Sequence, residues 1–201
     1  MSLKQNVINA LMSPPVRWVN FTFANRMISP MCFYMLAGYV NSGRVQCATD
    51  ANVTDRAEYD PTTDTIRAAD GDYGSTYWDD KSNLIHECAH AILDCIYAGK
   101  DMSFKSAPMT VLDDETIGYL AGAIYLIAAG AATGGTAGEP DYEARQIVRP
   151  KLATLMAKSW TGCETMKFTV QDVATLQAAI KKHRFYKNSW SSTAKQNGMS
   201  R

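Results

Sequence analysis

Charge of one sign is missing from this chain: Lys and Arg together number 20 and Asp and Glu together number 20. Such a balance gives no field to draw in a polyanion, so neither nucleic acid nor an anionic membrane is expected as a partner. Long hydrophobic runs are also missing. The longest, Ile117 to Thr133, is interrupted by Gly118, Gly122 and Gly130 and falls short of the roughly 20 residues a spanning helix needs, so a buried helix is expected there. There are five cysteines, Cys32, Cys47, Cys88, Cys95 and Cys163. An odd number without metal-finger spacing suggests neither a disulfide framework nor a four-cysteine zinc site, and suits reduced thiols in a cytoplasmic setting. Met1 to Val19 holds no apolar core followed by a small-residue cleavage site, so no secretory signal is expected. The location this implies is the cytoplasm, or export by a signal-independent route.

With 201 residues, 46% of them apolar, the chain can fill one core. A single domain is expected over residues 1–187, followed by a polar, flexible tail over 188–201. Leu3, Val7, Ile8 and Leu11 fall at helical spacing, and Ser13-Pro14-Pro15 ends that pattern. Residues 17–24 alternate as a strand does. Ser29-Pro30 opens a helix that closes near Gly43. Short strands are expected at 44–48, 57–59 and 65–67, the last two joined by a turn at Asp60-Pro61-Thr62-Thr63-Asp64. Helices follow: one capped by Ser82 or Asn83, running through Tyr97 and stopped by Gly99; one capped by Asp113 and running to about Ala132; one over 141–160 that Pro150 kinks or splits; and one over 169–183.

Histidine is scarce, and its distribution is the most informative feature of the chain. Of three histidines, two occur in Leu84-Ile85-His86-Glu87-Cys88-Ala89-His90-Ala91-Ile92. Side chains four apart on a helix lie one above the other, so both imidazoles can meet one zinc ion. Glu87 projects further round the helix, where its carboxylate can take a proton from water at the metal. Catalytic zinc usually has three protein ligands, so a third is needed. The extended signature with a third histidine requires Gly and His where Leu93 and Ile96 stand. A carboxylate from a later helix remains, and Asp113, Asp114 and Glu115 are the candidates.

Here the chain resembles the glutamate-ligand zincins, the gluzincins, and in particular compact bacterial zincin-like proteins of unclear role. The likeness is tight over residues 84–94, loose over 113–126 and faint at 57–68. It implies an α+β zincin-like fold, with a small antiparallel or mixed sheet in the N-terminal half packed on the motif helix and a helical C-terminal half. It also implies Glu115 as the third zinc ligand. The usual Asp four residues after that ligand is replaced by Tyr119, so the surroundings of the site must differ. Asp94 is a candidate to support His90, or else to form a surface ion pair.

The activity implied is zinc-dependent hydrolysis of a peptide or protein. Zinc lowers the pKa of its water to about 7, and Glu87 takes the proton as the water attacks a carbonyl. Tyr119, Tyr125, Tyr142 and His183 are candidates to donate to the oxyanion, although His183 also reads as an exposed basic helix end. The substrate is expected along Thr65 to Ala68 as an edge strand. Cys88 and Cys95 are expected to fill core space, and Gly118 and Gly122 to let a second helix approach the motif helix. A different class is also open: a zincin-fold binding module or effector-like, toxin-like protein without turnover.

Overall fold

The computed structural model describes residues 1–53, 56–97, 109–131, 134–158, 164–186 and 188–195. It is an α+β protein. Helix α1 (Leu3–Leu11) is capped by Ser2, whose side chain accepts from the Gln5 amide, and buries Leu3, Val7, Ala10 and Leu11. The two prolines then set a 3-10 turn over Pro14–Trp18, which shortens the strand expected over 17–24 to β1 (Phe21–Phe23). Ala24 and Asn25, both at positive φ, turn the chain back into β2 (Arg26–Ile28), a hairpin partner the alternation had not shown.

Helix α2 (Pro30–Ser42) starts with Pro30 in its first turn and stops at Gly43, which takes φ +80°. A three-stranded mixed sheet follows, formed by β3 (Gln46–Thr49), β4 (Ala57–Asp60) and β5 (Thr65–Ala68) in the order β3-β5-β4. β5 runs parallel to β3 and antiparallel to β4. Asp60 builds the turn between β4 and β5, accepting from the Thr62 amide and the Thr63 hydroxyl, both at 2.9 Å. This order corrects one expectation. β5 is the central strand, paired on both sides, so it cannot receive a peptide; β3 and β4 are the edges.

Helix α3 (Trp78–Ile92) begins a full turn before the caps expected at Ser82 and Asn83, with Asp79 and Asp80 against its positive end. Ser82 and Asn83 serve instead as ties, to the Gly122 carbonyl at 3.0 Å and to the Tyr73 hydroxyl at 3.1 Å. The helix passes into a π-helical turn at Leu93–Tyr97; Gly99 lies outside the described residues. Helix α4 (Val111–Ala128) is capped by Thr110, which accepts from the Asp113 amide, so Asp113 is in the first turn and not the cap. It ends at Ala128, short of Ala132, which lies outside the described residues.

Helix α5 (Pro140–Lys158) continues through Pro150 and is not split. Gln146, Arg149 and Pro150 are exposed there, so the carbonyl that proline leaves without a partner faces water. The final residues of the helix expected to reach Trp160 lie outside the described residues, as does Cys163. Helix α6 (Val170–Lys182) opens with a capping box between Thr169 and Asp172.

Residues 188–195, within the segment expected to be a tail, are tied to the start of α4. The Val111 amide donates to Ser192 O at 2.9 Å, the Ala194 amide to Met109 O at 2.8 Å, and Trp190 packs against the core. Residues 196–201 lie outside the described set. One apolar cluster joins α1, α2, the hairpin, α3, α4 and parts of α5 and α6. At its centre, α3 packs against α4, β4, α1 and α2. Among the described residues no helix is long and apolar enough to cross a membrane.

Candidate metal centre

The buried stripe of α3 carries Leu84, Ile85, Cys88, Ala89, Ala91 and Ile92 into the core, which turns His86, Glu87 and His90 toward α4 and β4. α4 can come close because it presents Gly118 and Gly122. A Cβ on Gly122 would lie 3.0 Å from the Ser82 carbonyl. Tyr119 closes the other side of His86, ring edge to ring face, at 4.6 Å between centroids. The His86 ring thus meets the Tyr119 ring and the bare backbone of Gly118 on one helix.

Three of the residues singled out in the sequence come together. Ligand atoms of His86, His90 and Glu115 all lie within 4.8 Å of one another. Nε2 of His86 is 3.3 Å from Oε2 of Glu115, and Nε2 of His90 is 3.8 Å from Oε1. Ligands on a tetrahedral zinc stand about 3.4 Å apart, so this spacing suits a divalent ion. Oε2 of Glu115 is buried yet receives no hydrogen bond. An orphaned carboxylate oxygen beside an imidazole nitrogen is what a pair of ligand atoms turned toward a common point leaves behind.

The other acids of α4 have separate tasks. Asp114 Oδ1 is 3.0 Å from Nδ1 of His90, which directs the opposite nitrogen into the site. Asp113 faces away, accepting from Thr110 at 2.8 Å and from Gln177 at 3.2 Å. Burial works against a charged His90 ring, but Asp114 and Glu115 outweigh it and raise its pKa to about 10. For Glu115 burial again opposes the charged form, and the two imidazoles hold the carboxyl below its usual range.

Glu87 stands beside this trio with Oε1 4.0 Å from Nε2 of His86, while Oε2 accepts the Tyr59 amide of β4 at 2.9 Å. Burial pushes its carboxyl up, and Glu115 adds to this, against the pull of the imidazoles and the Tyr59 amide. A carboxyl tied to the sheet edge and raised in pKa holds a proton more readily than a free carboxylate does. These residues line a cavity of about 550 Å³, together with Arg56, Ala57, Glu58 and Tyr59 on one wall and Phe185 and Tyr186 on another.

Tyr186 also lines the site. Burial and the adjacent Glu115 raise its pKa, and its hydroxyl lies 3.5 Å from that of Tyr119. Nothing in Arg184-Phe185-Tyr186 marks it in advance; only the path of the chain after α6 brings it here. Of the earlier candidates, Tyr125 is buried elsewhere against Ser13. Tyr142 and His183 line a neighbouring cavity. His183 is not an exposed basic end, because its side chain is largely buried against Phe185 and Tyr186, with Nε2 3.5 Å from Glu139. Asp94 supports Tyr59 and not His90: it is buried and accepts the Tyr59 hydroxyl at 2.9 Å. Cys88 is enclosed in the core, whereas Cys95 also meets that hydroxyl at 3.5 Å.

No family model, curated protein or solved structure matches this chain.

Proposed function

We propose that the chain is a zinc-dependent hydrolase of the zincin type, acting on peptides or proteins, with His86, His90 and Glu115 as metal ligands and Glu87 as general base. The convergence of two imidazoles and a buried carboxylate at ligand spacing carries this reading. The donor set, two histidines four apart on one helix and a glutamate from the next, is one that catalytic zinc uses, and the unbonded Oε2 of Glu115 fits a metal in that position. A zinc ion there would supply a Lewis acid and acidify water.

The remaining work falls to the chain's own groups. Glu87, oriented by the Tyr59 amide, removes a proton from the attacking water and returns it to the leaving amine. Tyr186 is the hydroxyl best situated to donate to the oxyanion, since it lines the same cavity beside Glu115. The substrate runs past β4, the edge strand on the side of the site, where Ala57, Glu58 and Tyr59 form the cavity wall.

Elemental analysis of the purified protein tests the metal, with equimolar zinc expected and its loss in His86→Ala and His90→Ala. Glu87→Gln should keep the zinc and abolish chelator-sensitive cleavage. Full cleavage by Glu87→Gln removes the base from the scheme. Absence of cleavage across peptides, proteins and cell-wall fragments favours a binding module on the same scaffold.

A further inference from the structure

Arg56 borders two cavities. One is the metal-site cavity; the other, of about 640 Å³, is lined by Gly135, Glu139, Asp141, Tyr142, Arg145, Lys182, His183 and Arg184. The segment 183–186 forms a common wall, with Phe185 and Tyr186 on the metal side and His183 and Arg184 on the other. We propose that this second cavity binds an anionic group, a carboxylate or a phosphate, carried by the substrate that is cleaved at the first. The proposal rests on the hydrolase reading and names the class of substrate.

Charge in the second cavity is unevenly matched. Asp141 is taken up by Arg56 at 3.1 Å, and Glu139 lies against His183 at 3.5 Å. Arg145 donates to the Gly134 carbonyl at 2.6 Å, and Arg184 lies over the Phe185 ring at 4.8 Å. Among the described residues, Arg145, Lys182 and Arg184 have no carboxylate within ion-pair distance. The negative end of α6 accounts for a lysine at 182. It does not account for Arg145 of α5 facing the same space.

Gly135 leaves room in the cavity lining for the Arg145 guanidinium. Gly135 takes φ +133°, and a Cβ there would fall 2.4 Å from Arg145 Nη2. Arg145 keeps further N–H groups free to donate to an oxyanion beside its bond to the Gly134 carbonyl. Tyr142 lines the same space and adds a hydroxyl. A substrate lying along β4 past Arg56 would bring an acidic side chain, a terminal carboxylate or a phosphoryl group to these residues.

Fluorescence anisotropy on zinc-loaded Glu87→Gln protein tests this without turnover. Three labelled hexapeptides are compared, identical except for a Glu-Glu, a phosphoserine or a Gln-Gln terminal segment. An anionic peptide should bind at least tenfold more tightly than the Gln-Gln peptide. The Glu-Glu and phosphoserine arms identify which anion is preferred. Lys182→Glu with Arg184→Glu, both exposed, should erase the preference while zinc content and circular dichroism stay unchanged; the milder Lys182→Gln with Arg184→Gln should reduce it. Repeating the titration after chelation separates the two ideas, because the anion preference should persist without zinc even if no hydrolysis is ever found. Equal binding of all three peptides, or a preference untouched by both double variants, overturns the proposal.

Discussion

A Cβ atom on Gly118 would stand 2.8 Å from Nε2 of His86, so α4 meets α3 where it has no side chain to interpose. The ring cannot retreat easily, because Tyr119 packs on it at 4.6 Å. Gly118→Ala is therefore expected to rotate His86 out of line with Glu115 while the rest of the helix pair survives. Competition with a chromophoric chelator should show zinc affinity falling at least tenfold, with far-ultraviolet circular dichroism little changed. Native affinity in this variant would mean that the ring is not held by α4.

Asp114 should matter to the metal without touching it. Its contact with Nδ1 of His90 at 3.0 Å fixes which nitrogen faces Glu115. Partners of this kind are commonly worth 10- to 100-fold in metal affinity. Asp114→Ala is expected to lose about that much, whereas Asp113→Ala, on the face toward Gln177, should bind zinc as the native chain does. Equal losses in both variants would point to a general effect on the start of α4.

That His86 and His90 come together was legible because it depends on local geometry. His86 and His90 share a helix, and one helical turn decides that they face the same way. Choosing Glu115 over its two neighbours needed a resemblance, since three successive acids at the start of α4 each point in a different direction. The roles of Tyr59, Asp94 and Tyr186 were hidden for a different reason. Each acts through a partner far away in the chain: the Tyr59 amide with Glu87, its hydroxyl with Asp94, and Tyr186 with Glu115. Strand order was similarly out of reach. Short strands at 44–48, 57–59 and 65–67 could be read from composition, close to the observed β3, β4 and β5, but a parallel crossover that buries β5 between the others leaves no periodic mark.

Tyr59 links the sheet edge to the site at both ends, and its removal should be felt in two measurements. The hydroxyl donates to buried Asp94 at 2.9 Å and reaches Asp64 at 3.3 Å. Taking a donor away from buried carboxylates costs on the order of 1–3 kcal/mol. Tyr59→Phe should therefore unfold at lower urea by about that free energy. It keeps the amide that holds Glu87, so zinc content should be unaffected. A neutral effect on stability would show that the two acids are satisfied without this hydroxyl.

The pH response of the metal-free protein follows from His90. In the folded chain its pKa is raised to about 10 by Asp114 and Glu115, which overcome the opposing effect of burial, while in the unfolded chain it returns to about 6.5. The folded state therefore binds the proton more tightly. The stabilisation is fully present below about pH 6.5, declines between there and about 10, and is gone above that. Thermal melts of the chelated protein from pH 6 to 10 should show Tm falling across this window, and Asp114→Asn should flatten the slope. Zinc reverses the sense. A ligating imidazole must be neutral, so protons compete with the metal, and apparent zinc affinity should climb over the same interval in which the metal-free fold weakens. A Tm of the chelated protein that does not fall through this range would mean that His90 is already neutral, and that Asp114 orients the ring without charging it.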